Sequence, residues 1–229
     1  MDDKLVEDIS KDSIVRVFHL YKRFGGKCAL YDLSFDIKRN EFVYFIGPSG
    51  AGKSTLFELL YKKIDASEGQ ILVDGINYSR LSKKKVPFLR RKIGVVFQDF
   101  KLIPTKTVFE NVALVLEVSG KKKSYIQKKV RSVLRIIGLE SKKDSYPVGL
   151  SGGEQQRVAV ARAVVGEPQI IFADEPTGSL DSESAETIMD LLKSFHIKGA
   201  TVIVATHDSG LIEKTGGRII NLKDGRIIM

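Results

Sequence analysis

The stretch best suited to chemistry is a glycine-rich run that ends in a lysine and a hydroxyl residue. It reads Gly47, Pro48, Ser49, Gly50, Ala51, Gly52, Lys53 and Ser54, and Thr55 follows as part of the same candidate binding set. The run fits G-x-x-x-x-G-K-[ST], in which glycines let successive backbone N–H groups point at phosphate oxygens. In such a loop Lys53 reaches the β and γ phosphates of a nucleotide, and the Ser54 hydroxyl holds Mg²⁺.

Two adjacent carboxylates end the apolar run 170–175, which reads I-I-F-A-D-E. Such a run is typical of a parallel strand buried on both faces, and its last residues then lie at the sheet edge where doubly wound folds bind ligands. Asp174 is predicted to orient Mg²⁺, and Glu175 to polarise the water that attacks the γ-phosphate. Alone, Asp-Glu-Pro would equally be a loop entry and helix cap. A phosphate loop in the same chain favours the catalytic interpretation.

The elements around these residues have the order that a nucleotide site requires. Residues 41–46 predict a buried strand before the loop, and residues 54–63 a helix after it. Asn40, in the turn before that strand, is expected to adopt a left-handed backbone, which asparagine tolerates. Gln98 and His207 each follow a further strand-like run. Gln98 could be an ordinary polar residue at a sheet edge, and His207 a helix cap or loop donor.

One more motif carries a family resemblance. Leu150, Ser151, Gly152 and Gly153, followed by Glu154, Gln155 and Gln156, match L-S-G-G-x-Q-[QR], the signature of ATP-binding-cassette (ABC) ATPases. The chain resembles that family over about residues 14–229. By the same resemblance Gln98 lies in the glutamine loop, residues 179–181 form the D-loop, and His207 is the switch histidine.

The resemblance implies a site shared between two chains. Each signature, through Ser151, Gly152 and Gly153, would cap the γ-phosphate of the ATP held by the other copy, so that ATP binding makes a homodimer. Gln98 would sense Mg²⁺ and the attacking water, and His207 would contact the γ-phosphate and steady Glu175. Asp181 would signal across the dimer, although an aspartate there is equally a helix N-cap.

The adenine base is the remaining part of the nucleotide to place. In the family an aromatic side chain stacks on the base, and Phe24 occupies the corresponding position, with Tyr21 as the reserve candidate. Stacking needs only an aromatic face, so phenylalanine can serve.

The predicted fold class is α/β, a P-loop NTPase of the ABC type. Its parallel core sheet should contain the strands that end at Ile46, Phe97, Ala173 and Thr206. An N-terminal antiparallel β subdomain is expected near 14–20, 31–37 and 70–74, an inserted helical lobe at about 99–150, and a closing hairpin over 221–226. The acidic residues 1–13 are predicted to be a disordered extension ahead of one ATPase domain, 14–229.

Composition restricts the setting of this ATPase. The chain has 229 residues, 43% of them hydrophobic, and a single cysteine, Cys28. Together with the lack of a secretory leader, this predicts a reducing cytosol. No apolar run approaches the roughly 20 residues that cross a bilayer. A membrane role would therefore need a separate polypeptide.

The net charge of +9 is concentrated in two segments. Residues 121–143 contain nine Lys or Arg and one acid, Glu140, and residues 80–92 contain seven and no acid. Ser124 and Gln127 predict a capping box at the start of a helix there. The charge could suit an anionic cytoplasmic leaflet, or it could be a solvated helix face. Nucleic acid is a third alternative. It is not expected, because related DNA-repair and translation ATPases usually carry coiled-coil insertions or duplicated cassettes.

The particular branch is suggested by residues 86–102 and 107–113, which resemble the FtsE family of bacterial cell-division ATPases. This implies an integral membrane partner resembling FtsX, docked on the helical lobe, and control of cell-wall hydrolysis. The chain would then lie at the cytoplasmic face of the inner membrane. Cassettes for lipoprotein release or macrolide export are the alternative. A small-molecule kinase shares the phosphate loop but would not need residues 150–156.

Overall fold

The structure, a computed structural model, describes residues 12–208, 210 and 216–228. The predicted N-terminal extension lies outside these residues except at its end, where Ser13 already begins the first strand. The strands are β1 (Ser13–Phe24), β2 (Lys27–Lys38), β3 (Phe42–Ile46), β4 (Glu68–Val73), β5 (Ile76–Asn77), β6 (Ile93–Val96), β7 (Ile170–Asp174), β8 (Thr201–Thr206), β9 (Arg218–Lys223) and β10 (Arg226–Ile228).

The helices of the described residues separate these strands. They are α1 (Lys53–Leu60), α2 (Val86–Arg90), α3 (Val108–Val118), α4 (Lys123–Ile136), α5 (Gly152–Val164) and α6 (Ser182–Ile197). Short 3₁₀ turns occur at Tyr78–Arg80, Lys83–Lys85, Glu140–Lys142 and Pro147–Gly149. In the described part of the chain, none of the helices combines the length and the apolar character needed to cross a bilayer.

Two sheets result, as predicted. The first has the order β2-β1-β4-β5 and is antiparallel. The second has the order β10-β9-β3-β8-β7-β6, in which all neighbours are parallel except the β9–β10 hairpin. Because β3, β6, β7 and β8 are parallel, the segments that follow them meet at one edge of the sheet. All four predicted core strands are confirmed.

The core lies on both faces of the parallel sheet. Successive residues of β3 point to opposite sides, so that Tyr44 packs in the cluster under α3, α4 and α5 and Phe45 packs in the cluster with α1 and β1. Both side chains are fully buried. A strand that is covered on both faces has no solvent-exposed face that would favour polar residues, which explains the continuous apolar runs in the sequence.

The helical lobe contains α3 and α4, and one prediction about it is wrong. Thr107 and Glu110 form a capping box at the start of α3. The capping box predicted at Ser124 and Gln127 is absent, because α4 begins at Lys123 with no side-chain cap. Just after α3, Gly120 adopts a left-handed backbone with φ 72°, and the Lys121 N–H donates back to the Leu116 carbonyl at 3.0 Å. The chain therefore reverses within a few residues, and the next helix starts before Ser124.

A buried asparagine fixes the connection between β6 and α3. Asn111 has no exposed surface, and its Oδ1 accepts the Ile103 N–H at 2.8 Å. Its amide nitrogen lies within 3.1 Å of the carbonyl oxygens of Ile103, Lys106 and Thr107. One side chain thus satisfies backbone groups that would otherwise be buried without partners.

We expect Asn111→Ala to lower the free energy of unfolding by about 2–4 kcal/mol, because it leaves several buried backbone groups unpaired. Urea denaturation followed by circular dichroism measures this change. Glu117→Gln, at an exposed site on the same helix, is the matched control and should stay within about 0.5 kcal/mol of the parent. Equal stability of the two variants would show that Asn111 does not hold the segment.

Candidate functional site

The glycine-rich run forms the loop between β3 and α1. Gly50 and Gly52 have φ angles of 80° and 104°, which residues with a Cβ rarely adopt. A Cβ at Gly52 would lie 2.6 Å from Leu30 Cδ2 and 3.0 Å from the Ala29 carbonyl oxygen. Glycine is therefore required both for the backbone turn and for close packing against β2. The loop leads directly into α1, whose first N–H groups favour an anion.

The C-terminal hairpin supports this loop from behind. A Cβ at Gly47 would lie 2.0 Å from the Leu222 carbonyl oxygen, and the Gly225 N–H donates to the Ala51 carbonyl at 3.1 Å. The sequence predicts the hairpin but not this packing, although Gly47 and Gly225 were signals that could have indicated a close approach. The shape of the loop thus depends on residues nearly 180 positions away.

Lys53 and Glu175 lie in contact beneath the loop. Lys53 Nζ donates to the Gly47 carbonyl at 2.6 Å and to the Pro48 carbonyl at 3.2 Å. It also lies 3.4 Å from Glu175 Oε1, and both side chains are almost completely buried. A buried carboxylate needs a compensating charge, which the lysine supplies. This contact joins the loop after β3 to the end of β7.

Glu175 is held in an unusual conformation by a second partner. Its φ is 45°, a left-handed value for a residue with a Cβ, and its N–H donates to the Ala205 carbonyl at 2.9 Å. Oε2 lies 2.9 Å from His207 Nδ1, at the end of β8. Lys53 and His207 thus contact different carboxylate oxygens. Backbone strain of this kind is common where a side chain must be presented for function.

The preceding carboxylate, Asp174, faces the first turn of α1. Ser54 Oγ donates to Asp174 Oδ1 at 3.3 Å. Burial raises the pKa of Asp174, the Ser54 hydroxyl partly opposes this, and the negative charge of Glu175 adds to the increase. A buried carboxylate beside a hydroxyl is a donor set that suits Mg²⁺, which takes oxygen ligands. The residues therefore fit the ion predicted from the sequence.

Gln98 follows β6 and reaches the same edge of the sheet. A Cβ at Gly178 would lie 3.7 Å from Gln98 Nε2 and 3.7 Å from Glu175 Cβ, so the Gln98 amide and the base of the Glu175 side chain both lie beside this glycine. The backbone after Gln98 is fixed by Arg162 of α5, which donates to the carbonyls of Phe100 and Lys101 at 2.7 and 2.6 Å. The sequence contained no sign of this role for Arg162.

The signature residues form a helix N-terminus. Ser151 is the N-cap of α5 and forms a capping box with Glu154. In it the Glu154 N–H donates to Ser151 Oγ at 3.3 Å. Lys142, 2.5 Å from Glu154, and the Ser151 N–H together lower the pKa of that carboxyl. A Cβ at Gly152 would meet only Leu180, at 3.8 Å, so this backbone is open to a ligand.

Signature and D-loop pack against each other in the same chain. Asp181 is the N-cap of α6 and accepts from the Ser184 N–H at 2.8 Å. A Cβ at Gly153 would lie 2.5 Å from Ser184 Oγ. Gln156 of α5 is fully buried and donates to the Pro176 carbonyl at 2.6 Å, one residue after Glu175. The helix α5 is therefore tied to the turn of its own chain that contains Glu175.

The two aromatic candidates differ in their surroundings. Phe24 ends β1 at the hairpin tip, is 50% exposed, and has Lys22 Nζ 4.8 Å from its ring centre. Tyr21 is in edge contact with Tyr31, with ring centres 5.2 Å apart. An accessible ring face is needed for stacking on a base, and Phe24 offers more of it.

The structure brings together Lys53, Ser54, Gln98, Asp174, Glu175 and His207 at the carboxyl edge of the parallel sheet. The residues Ser151, Gly152, Gly153 and Asp181 lie together at the N-termini of α5 and α6, and Phe24 lies at the tip of the β1–β2 hairpin. This arrangement of a phosphate loop, an adjacent carboxylate pair and a separate S-G-G helix terminus defines a P-loop ATPase of the ABC class.

Comparison with known proteins agrees with that class. The family model described as ABC transporter matches residues 30–178, and the chain belongs to this family. The cell division ATP-binding protein FtsE of Streptococcus pneumoniae serotype 2 (strain D39) is 44% identical, with 94% of each chain covered. The same-named protein of Bacillus subtilis (strain 168) is also 44% identical, covering 94% of this chain and 95% of that one.

A solved structure shows the same fold. The dimeric post-hydrolysis structure of the ATP-binding cassette MJ0796, bound to ADP and Pi, has a TM-score of 0.86 and 40% identity over 94% of this chain and 97% of that one. The predicted fold class and activity are confirmed: the protein is an ATP-binding, ATP-hydrolysing subunit.

We expect Asp174→Asn to raise the thermal unfolding midpoint of the protein at neutral pH with a metal chelator present. A carboxyl whose pKa is raised on folding stabilises the fold only when protonated, so the ionised form at pH 7 is destabilising. The difference from the parent should shrink as the pH is lowered towards the acid range, because Asp174 then becomes neutral. Differential scanning fluorimetry across pH measures this.

Asp181→Asn is the matched control, because hydrogen bonds from Ser184 lower the pKa of Asp181 and its charged form is the favoured one. This variant should not raise the midpoint at any pH. A lower midpoint for Asp174→Asn at pH 7 would contradict the assignment of Asp174 as a destabilising buried charge.

Proposed function

We propose that the protein hydrolyses ATP at sites completed by a second copy of the chain, and drives an integral membrane partner. The contact of Glu175 with both Lys53 and His207 carries this proposal. A carboxylate held on two sides can orient a water molecule without itself moving, and phosphoryl transfer depends mainly on positioning and charge neutralisation.

The site residues have separate tasks in this mechanism, and Gln98 has two. The backbone N–H groups of residues 49–55 and the side chain of Lys53 bind the phosphates, Gly47 and Pro48 form the start of the same loop, and Phe24 stacks on adenine. Glu175 accepts a hydrogen bond from the attacking water and polarises it, while His207 steadies that carboxylate and Gln98 aligns the water from the other side. Ser54, Asp174 and Gln98 would hold Mg²⁺, which supplies charge neutralisation on the β and γ phosphates when bound.

The second copy supplies the S-G-G end of its α5. That helix terminus has open backbone at Gly152 and a Ser151 hydroxyl, both suited to phosphate oxygens. The dimeric state of the similar cassette MJ0796 supports this arrangement. Two equivalent ATP sites related by a twofold axis follow, with Asp181 of each chain near the shared boundary.

A groove beside Gln98 is suited to receive the membrane partner. It has a volume of about 360 Å³, lies between α1, α2, β6, α3 and α5, and is lined by Tyr61, Arg90, Val95, Phe97, Val115 and Arg162 among others. Phe97 precedes Gln98 directly, and Arg162 fixes the backbone that follows it. A segment bound in the groove would therefore act on the glutamine that faces Glu175.

The partner is an FtsX-like membrane protein, and the process is bacterial cell division. The FtsE names of relatives 44% identical over nearly the whole chain support this role. The protein is then peripheral, at the cytoplasmic face of the inner membrane, and ATP turnover is transmitted through the partner to cell-wall hydrolysis outside.

We expect Glu175→Gln to retain ATP binding and lower turnover by at least about 100-fold, because the water loses its polarising carboxylate. Phosphate release measures turnover, and sedimentation with ATP and Mg²⁺ should show a stable dimer. Glu183→Gln, an exposed neighbour in α6, is the control and should keep the parent rate. Hydrolysis near the parent rate in Glu175→Gln, or a monomer saturated with ATP, would contradict the shared-site mechanism.

We expect Val115→Glu to reduce recovery of the membrane partner about tenfold or more, because the longer, charged side chain would occupy the groove and would have to lose its water when a partner segment binds there. Detergent-solubilised membranes, affinity purification of the tagged protein and mass spectrometry measure this. Ile136→Glu, an exposed site elsewhere on the helical lobe, should recover the partner at the parent level. If a lipoprotein-release or macrolide-export permease is recovered instead, the cell-division role is wrong.

A further inference from the structure

The two basic segments of the sequence form one surface in the fold. We call this surface the basic face, and it consists of residues 83–91 and 118–125. We propose that the basic face binds the anionic surface of a phospholipid bilayer directly, independently of any protein partner.

A chain of contacts joins the two segments. Arg91 Nη2 donates to the Val118 carbonyl at 2.9 Å, which links the end of α2 to the end of α3. The Arg91 guanidinium also lies 4.9 Å from the centre of the Phe88 ring. On the other segment, Lys121 Nζ lies 5.8 Å from the Tyr125 ring centre. Residues nearly 30 positions apart therefore share one continuous surface.

Positive charge on the basic face is largely uncompensated. Lys84, Lys85, Lys122 and Lys123 are exposed, and no ion pair to them is found in the part of the chain that the structure describes. Lys83 has some compensation, since it helps to lower the pKa of Asp65. Glu117, which is exposed, is the acid that lies nearest in sequence to the second segment.

The remaining basic residues of both segments differ, because many of them have carboxylate partners. Arg135 pairs with Glu140 at 2.8 Å, Lys143 with Asp144 at 2.5 Å and Lys92 with Asp74 at 2.7 Å. Lys129 and Lys142 also pair, with Glu167 and Glu154. Pairing therefore reduces the charge of both basic segments outside the basic face, although the exposed Arg80, Lys128 and Arg131 there have no ion pair among the described residues.

Large apolar side chains project among these lysines. Phe88 is 62% exposed, Val118 60% and Tyr125 44%. Lysines interspersed with exposed aromatic and aliphatic side chains suit the boundary between lipid headgroups and acyl chains, where the charges meet phosphates and the apolar groups insert. A nucleic-acid interface is more polar, and Val118 and Phe88 would gain less there.

The position of the basic face agrees with a bilayer as its target. Arg90 and Val115 line the partner groove, and they lie one residue from Arg91 and one helical turn from Val118 on the basic face. A membrane partner in the groove would bring this face towards the lipid. The orientation of the basic face towards the lipid depends on the proposed docking of the membrane partner in the groove. Lipid binding by the isolated chain does not depend on that docking.

The test uses the purified full chain, without partner, and sedimentation with vesicles of equal parts phosphatidylglycerol and phosphatidylcholine. Each lysine near an anionic leaflet strengthens partition about fivefold. The triple variant K121Q/K122Q/K123Q should therefore bind about 100-fold more weakly than the parent. The control K38Q/K198Q/K223Q removes the same charge at exposed lysines elsewhere, and should lose much less.

Vesicles of phosphatidylcholine alone should bind little protein, because they carry no net negative charge. Raised salt should weaken the contribution of the lysines, and Phe88→Ser should then remove the binding that remains. Equal losses in the two triple variants would overturn the proposal, because net charge alone would explain them. Binding to random-sequence duplex DNA but not to vesicles would replace the bilayer with nucleic acid. Turnover and partner recovery are measured separately on K121Q/K122Q/K123Q, so failure of lipid binding is distinguishable from failure of the proposed function.

Discussion

The buried contact between Lys53 and Glu175 is the interaction on which the site depends. Each charge would be costly to bury without the other, so the two fix the distance between the loop after β3 and the end of β7. His207 adds a third strand end to the same carboxylate. The parallel sheet makes this possible, because its strand order β3-β8-β7 places these three ends side by side. The relative positions of Lys53, Glu175 and His207 are thus set mainly by strand pairing.

Two further connections extend from this centre into the helical part of the chain. Gln156 of α5 donates a hydrogen bond to the Pro176 carbonyl, so a shift of the S-G-G terminus would also shift the turn that contains Glu175. Arg162 of the same helix and Asn111 of α3 hold the segment after Gln98. The helix that begins at the signature therefore also holds one wall of the groove that we propose for the partner. In the proposed mechanism this helix links the ATP contacts to the partner.

Charge has separate roles in different parts of the molecule. At the site, charges are buried and paired, as for Lys53 and Glu175. Near the C-terminal end of α4 and just beyond it several charges are paired at the surface, as for Arg135 with Glu140, and each such pair contributes little to stability. On the basic face they remain unpaired and stand beside exposed apolar groups. The net charge of +9 is therefore less informative than its distribution: the sequence shows which segments carry the charge, and the folded chain shows which of these charges are paired.

Several features could be predicted from the amino-acid sequence alone: the strand-loop-helix order, the carboxylate pair, the S-G-G helix start and the left-handed turn at Asn40, whose φ is 54°. These are local features, because a glycine pattern, an apolar run or an N-cap residue acts on its immediate neighbours. The same local reasoning failed at Ser124, where the end of the preceding helix decided the start of the next.

The contacts between groups that are distant in sequence could not be predicted and became visible in the folded chain. Four hydrogen bonds illustrate this, and each connects residues 20 or more positions apart. They are Gly225 to Ala51, Gln156 to Pro176, Arg162 to Phe100 and Arg91 to Val118. No sequence period encodes such pairs, since they arise when strands and helices pack around a shared core.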